Sequence, residues 1–246
     1  MRKVIFNNVV CNEDDDFMFT KVVYEEGGEL YTVNVDKMKV DPHEVTGKLI
    51  PKHSLYPKVS KFNTLTVFDG NSEEVFIKRT NPVHYDLDGG DVSMDMEREI
   101  NVMEVLKLHS HSNIAEYLGS IVEGDLVTGI CYRKYERTLT ETLNTDRVLE
   151  GVKSGLDHLH SLGYIHDDIN PRNIMLDKEG RGIIIDFDSC KKTGSRREGK
   201  CGTNGWTMDN DVASVENDHY SLHLLEKYLA QCIPGKHVDE QAIPPT

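Results

Sequence analysis

The sequence predicts an α+β protein in two parts: a β-rich first half with one helix, and a mostly helical second half with a small β element, meeting near residue 136. Three observations carry this reading. Up to residue 135, short β-like runs alternate with turns rich in Gly and Asp. Within residues 94–108, Met96, Ile100, Met103 and Leu106 recur at three- and four-residue steps, the spacing of an amphipathic helix. After Arg137 the helical period dominates, with Val148, Leu149, Val152, Leu156 and Leu159 on one face.

In chain order, residues 12–16 (NEDDD) read as a solvated acidic loop, and residues 22–35 as two strands around Gly27-Gly28, a hairpin signal. Residues 64–68 and 74–79 read as a second hairpin turning at Asp69-Gly70-Asn71. Residues 80–93 hold Pro82, Gly89, Gly90 and several Asp, and form a loop before the helix. Strands over 114–121 and 126–132 are joined by Glu123-Gly124-Asp125. The long helix of the second half stops at Gly163, where a helix terminus accepts glycine. Two short strands follow, 173–176 and 182–186, then a polar segment and a last helix over 218–232. The tail, with three prolines, trails over the surface.

Of the 246 residues, 38% are hydrophobic and 28% charged, enough for a packed core and against wholesale disorder. No apolar run is long enough to span a bilayer. The N-terminal apolar stretch breaks at Asn7 without a cleavage-site pattern, which argues against a secretory signal. The net charge of −14 disfavours phosphate backbones and anionic membranes, so neither nucleic acid nor membrane is expected as a partner. Cys11, Cys131, Cys190, Cys201 and Cys232 are widely spaced, with no CxxC pair, and read as reduced thiols of a cytoplasmic or nuclear protein. His109/His111 and His158/His160 are two residues apart, so each pair points to different helix faces rather than to one metal.

The chemistry concentrates in residues 164–190, YIHDDINPRNIMLDKEGRGIIIDFDSC. Asp168 precedes Asn173, and an apolar strand then delivers Asp186 to its end. A carboxylate and an amide are hard oxygen ligands that suit Mg²⁺. A further carboxylate that binds no metal can orient a hydroxyl and take its proton. Metal ligands, an alcohol-positioning base and charge compensation are the parts phosphoryl transfer needs.

These residues resemble the protein-kinase-like superfamily, and their texture is most similar to the small kinase-like proteins of filamentous fungi. His166, Asp168 and Asn173 match its catalytic-loop pattern, and Asp186-Phe187-Asp188 its metal-binding Asp-Phe-Gly with the glycine replaced. Val75-Phe76-Ile77-Lys78 resembles its strand lysine, Glu99 the helix glutamate that pairs with it, and His111-Ser112-Asn113-Ile114 the His-Pro-Asn-Ile that follows. Gly202-Thr203-Asn204-Gly205-Trp206 resembles the end of an activation segment, and Asp218 the buried aspartate that anchors the catalytic loop. The resemblance implies a two-lobed fold. An N-terminal extension over 1–60 would precede a β-rich N-lobe over 61–135 and a short, truncated, mostly helical C-lobe over 136–232, with a tail over 233–246.

The departures are as informative. No glycine-rich phosphate loop precedes Lys78; Gly70 is the one glycine between Tyr56 and Lys78. Asp167 stands where the family has the arginine that receives a phosphate. Residues 191–200 hold Lys191, Lys192, Arg196, Arg197 and Lys200, and Asp167 is expected to pair with one of them and order the segment without phosphorylation. Asn170 replaces the loop lysine that faces the γ-phosphate, leaving Arg172 as a substitute or Lys78 alone. Asp188 is a second metal ligand or a turn residue.

The function implied is an ATP- and Mg²⁺- (or Mn²⁺-) dependent protein kinase acting on Ser/Thr hydroxyls of protein substrates, acidic ones given the basic segment. Asp168 would be the base, and Asn173 and Asp186, with Asp188, the metal ligands. Lys78, held by Glu99, would clamp the α/β-phosphates. Residues 132–135, with Lys134 and Tyr135, would meet the adenine. The alternatives are a non-catalytic kinase-like binding module, for which the missing glycine loop argues, and a small-molecule hydroxyl phosphotransferase, for which Asp-Phe-Asp argues.

Overall fold

The computed structural model describes residues 1–12, 14–70, 74–87, 91–135, 137–139 and 144–231. The tail, Cys232, Asn71, Gly89, Gly90 and the expected boundary at 136 lie outside the described residues. Two compact units emerge. One comprises Met1–Lys61, Arg79–Met96 and Val122–Thr128; the other Phe62–Lys78, Glu97–Ile121 and Gly129–Thr246. Among the described residues, no helix is long and apolar enough to cross a membrane.

The first unit is built on a four-stranded antiparallel sheet in the order β1 (Lys3–Cys11), β2 (Phe17–Glu26), β3 (Glu29–Val35), β4 (Lys48–Leu49). The expected β2–β3 hairpin forms, and Gly27 and Gly28 are its turn, at φ 64° and 83°. Two successive left-handed residues give the turn whose twist matches paired strands, which is why glycine stands at both. The buried run Val22, Val23 and Tyr24 lies on β2. Val23 packs with Ile50 and with Leu55 of the short helix α1 (Lys52–Leu55), flanked by Phe6, Leu30, Tyr56, Val83, Tyr85 and Val92.

The second unit carries the chemistry. Strand β5 (Val75–Lys78) pairs antiparallel with β7 (Leu126–Arg133), which neighbours β6 (Tyr117–Glu123). Between β5 and β6 runs helix α2 (Ser93–Leu108), and Met96, Ile100, Met103 and Leu106 are its buried stripe, as the spacing predicts. Residues 64–68 do not behave as the first arm of a hairpin with β5. Val67 bridges Ser120 in parallel, and the backbones of Thr66 and Phe68 bond to Ser120. Gly119, at φ 139°, permits this, because a Cβ there would stand 2.8 Å from the Phe68 nitrogen. A pairing set by close backbone approach leaves little trace in hydrophobic alternation.

Beyond β8 (Arg137–Thr138), helix α3 (Thr145–Ser161) starts at Asn144, whose side chain accepts the Arg147 N–H. That is the bond an N-cap supplies to an orphan helix donor. Val148, Val152, Leu156 and Leu159 form its buried face, and Gly163 follows the helix at φ 78°. Strand β9 (Tyr164–Ile165) pairs with β12 (Lys191–Lys192), while β10 (Ile174–Leu176) lies between β11 (Gly182–Ile184) and β8. Helix α4 (Val215–Gln231) closes the described chain and packs on α3. The mixed α and β fold, β-rich first and helical later, is the one expected. Cys11, Cys131, Cys190 and Cys201 are free thiols.

Candidate active site

Two clusters of polar side chains form in the second unit. The first centres on Lys78. Its ammonium contacts Glu99 Oε2 at 2.6 Å, Asp186 Oδ1 at 2.6 Å and Asp188 Oδ2 at 3.3 Å. Local chain direction accounts for the meeting. Lys78 ends strand β5, and Glu99 sits on α2 among the buried stripe, itself only 1% exposed. Asp186 and Asp188 follow β11, whose course is set by the loop after α2. Asn113 Nδ2 donates to the Gly182 carbonyl at 2.9 Å, and Ile184 N–H to the Asn113 carbonyl at 2.9 Å. Residues 111–114, singled out by their resemblance, therefore hold the strand that carries the acids.

Burial disfavours the Lys78 charge, but Glu99, Asp186 and Asp188 outweigh it and hold the ammonium above its ordinary range. Burial, with the charges of Asp186 and Asp188, raises the Glu99 carboxyl, opposed by Lys78. Burial would also raise Asp188, but Lys78 and Lys200 lower it further than burial lifts it. Tyr132 donates its hydroxyl to Glu99 Oε1 at 2.7 Å, completing a lysine–glutamate–tyrosine chain. Tyr132→Phe is expected to lower stability by about 1.5–3 kcal/mol, the value of a hydrogen bond to a charged acceptor. Thermal denaturation checks it.

The second cluster surrounds Asp168, which is buried. Its Oδ1 accepts from Asn170 Nδ2 at 2.9 Å, and from the N–H and hydroxyl of Thr203 at 2.7 and 2.8 Å. Its Oδ2 accepts from Asn173 Nδ2 at 2.9 Å. The loop that bears it is anchored from α4. Asp218, fully buried, accepts from His166 N–H at 2.9 Å and Asp167 N–H at 2.8 Å, and meets His160 Nε2 at 2.7 Å. Asp167 and Asp186 both take left-handed backbone angles, φ 66° and 65°, a strain of order 1–3 kcal/mol each that surrounding bonds must hold.

Of the five cations in residues 191–200, the one that bonds Asp167 is Arg197. Its Nε donates to Asp167 Oδ2 at 2.9 Å, and Lys191 stands 3.5 Å from the same oxygen. Asn217 Nδ2 donates to Asp167 Oδ1 at 2.9 Å. Arg197 also donates to the Met208 and Asn210 carbonyls, to Asn210 Oδ1 and to Thr207 Oγ1. A Cβ on Gly202 would collide with the Asp167 carbonyl oxygen, so glycine is required where this segment crosses the loop.

The site residues read from the sequence thus fall into two groups. Lys78, Glu99, Asp186 and Asp188 form one ion cluster, and Asp168 and Asn173 one hydrogen-bonded pair. A cavity of about 290 Å³ is lined by Lys78, Glu99 and Asp186 at one side and by Phe76, Met175, Ile185 and Tyr135 elsewhere. Tyr132 also lines it, with its hydroxyl engaged by Glu99. Lys134 lines instead a larger cavity of about 850 Å³, together with Tyr135. Three side chains escaped the sequence reading in these roles. Thr203 was legible only as a hydroxyl in a Gly-Thr motif, Lys200 only as one of five segment cations, and Tyr132 only as part of a stretch facing the base. The pairing of each depends on chain reversals that spacing does not encode.

Asp186 and Asp188 supply hard carboxylate oxygens of the kind that suits Mg²⁺ or Mn²⁺. Glu99, Asp186 and Asp188 each offer an oxygen within 4.8 Å of the others, and Lys78 already lies among them.

A protein kinase domain model matches residues 65–225. The chain is 27% identical over 165 residues to the serine/threonine-protein kinase/endoribonuclease IRE1 of Hypocrea jecorina, covering 56% of this chain and 12% of that protein. It is 34% identical over 129 residues to the serine/threonine-protein kinase pakA of Talaromyces marneffei, covering 48% and 20%. Over 138 residues it is 32% identical to the serine/threonine-protein kinase ste20 of Aspergillus fumigatus, covering 51% and 17%. The chain spans a fifth or less of the length of these relatives. The matched region takes in Lys78, Glu99, Asp168, Asn173, Asp186, Asp188 and Asp218, the residues of both clusters and the anchor of the loop, and covers more than half of the chain: this chain belongs to the protein kinase family.

Proposed function

We propose that this chain is an ATP- and Mg²⁺-dependent protein kinase that transfers the γ-phosphoryl group to Ser/Thr hydroxyls. One observation carries the reading: a lysine clamped by a buried glutamate and an aspartate lies in the same unit as an aspartate–asparagine pair. In this reading Asp168 orients the acceptor hydroxyl and takes its proton. Four donors fix the orientation of its carboxylate, leaving the geometry pre-set. Lys78 holds the α/β-phosphates, with Glu99 as its brace. Asn173, Asp186 and Asp188 hold the divalent ion, which neutralises phosphate charge when bound. Tyr135 and the apolar lining of the smaller cavity receive the base, and Lys134 reaches it only by moving from its present position.

Thr203 favours a protein substrate over a small one, because the segment that would bear an incoming peptide hydrogen-bonds directly to the base. Lys192 and Arg196 remain exposed on that segment and favour acidic sequences, whereas Lys191 and Arg197 are consumed internally. The domain division proposed is an N-terminal part over 1–60 and catalytic parts over 61–135 and 136–232. The missing glycine loop favours a second reading, a nucleotide-independent binding module.

Incubation with labelled ATP and Mg²⁺ or Mn²⁺, with transfer measured to the protein itself and to an acidic protein, separates the two. Metal-dependent transfer to serine or threonine is expected. No transfer, with ATP leaving the melting temperature unchanged, would establish the binding module.

A further inference from the structure

Phosphoryl transfer develops negative charge on the moving group, and a fixed cation there lowers the barrier. The catalytic loop cannot supply one in the present arrangement. Position 170 is a neutral asparagine whose amide donates to Asp168, and the Arg172 guanidinium is turned to Thr203 Oγ1 at 3.3 Å. A cation does reach the metal-binding acids from the segment that follows them. Lys200 Nζ contacts Asp188 Oδ2 at 2.6 Å, the same oxygen that Lys78 approaches at 3.3 Å.

The placement of Lys200 is built into its surroundings. Three residues before it, Arg197 is bound to Asp167; three residues after it, Thr203 is bound to Asp168. The Lys200 carbonyl accepts from Lys191 Nζ at 2.6 Å, and Lys191 is nearly buried. On its other side Gly199 runs against Arg98, where a Cβ would lie 2.9 Å from a guanidinium nitrogen. Arg98 itself donates to the Asp188 carbonyl at 2.8 Å. The backbone is thus held at both ends by the catalytic loop, while the Lys200 side chain stays 36% exposed. A held backbone with a partly solvated ammonium can pass its contact from a carboxylate to an arriving phosphate.

We propose that Lys200 is a catalytic residue of this enzyme: its ammonium contacts the γ-phosphate of ATP and supplies the charge that position 170 lacks. The proposal rests on the nucleotide reading above. In the step, the acceptor oxygen bonds to the γ-phosphorus and the bond from phosphorus to the β-bridging oxygen breaks. The electron pair leaves on ADP, and the hydroxyl proton passes to Asp168. Lys200 exchanges no proton; it stabilises charge on the moving phosphoryl oxygens.

The test compares ATP and ADP affinities by calorimetry with Mg²⁺ for the wild type, Lys200→Met and Lys200→Arg, beside kcat. Lys200→Met is expected to weaken ATP about tenfold, the worth of one charge-assisted contact, and to leave ADP unchanged. Its kcat falls about 10²-fold, as on loss of one transition-state donor. Lys200→Arg recovers most of both. An unchanged ratio of ATP to ADP affinity in Lys200→Met overturns the proposal while leaving the nucleotide reading intact. Faster transfer or tighter Mg²⁺ binding by Lys200→Met also overturns it, marking the lysine as a plug on Asp188. A wild type that binds neither nucleotide overturns the nucleotide reading and this proposal together.

Discussion

Asp168→Asn is expected to lower phosphate transfer by about 10²–10⁴-fold, the range for loss of a general base. The substitution removes the proton acceptor and keeps the shape. It also disturbs the local bonds in a defined way. Both carboxylate oxygens accept from N–H or O–H donors, so a carboxamide must turn its own N–H₂ toward one of them. The gentler orientation faces Asn173 Nδ2 alone and loses that bond, at about 1–2 kcal/mol. For a chain of this size that is a melting shift of about 5 °C. ATP affinity should hold, because Lys78, Asp186 and Asp188 are untouched. Transfer surviving at more than a tenth of the wild-type rate would remove Asp168 from the role of base. A matching loss of ATP affinity would recast it as a structural residue.

Arg197→Ala is expected to destabilise the protein by about 3 kcal/mol, because it leaves a buried carboxylate short of its main counter-charge. Asp167 is fully buried, and Lys191 at 3.5 Å is a weaker substitute for the guanidinium at 2.9 Å. Arg197 further ties Met208, Asn210 and Thr207, so the whole segment loses its fastening. A fall in melting temperature on the order of 10 °C, with new protease cleavage within residues 191–210, is the expected result. Asp167→Arg should do the same by placing a third cation against Lys191 and Arg197. Melting and cleavage patterns like those of the wild type would show that the pair does not hold the segment. Phosphatase treatment should change neither in the wild type, since the anion that orders this segment is part of the catalytic loop itself.

Much of the site was legible before the fold. The span from His166 to Asp188 has its chemistry in local spacing: an acid, an amide five residues on, and a strand that ends in an acid. Such features need only a short stretch of chain to be meaningful, and the structure brings Asp168 to Asn173 and Asp186 to Lys78. The Asp167 pairing was also legible, because an acid stands where the family has an arginine and residues 191–200 gather five cations. The identity of the partner, Arg197 rather than its neighbours, was not. Residues 64–68 were misread for a related reason. Their alternation suits a hairpin, but a glycine on β6 opens a parallel contact with Ser120 instead.

By itself, then, the sequence determined the α+β class, the β2–β3 turn, the buried faces of α2 and α3, and the residue types able to transfer a phosphoryl group. These follow from periodicity, from glycine's access to left-handed angles and from side-chain chemistry, all of which act within a few residues. Only the tertiary structure decided that Tyr132 braces Glu99, that Thr203 holds Asp168, and that Lys200 rather than Arg172 meets Asp188. Those pairings join residues about 30 or more positions apart, or hang on the path of one irregular segment. Their geometry is set by where the chain meets itself, at Gly202 against the Asp167 backbone and at Gly199 against the Arg98 guanidinium, and such approaches are a property of the packed chain.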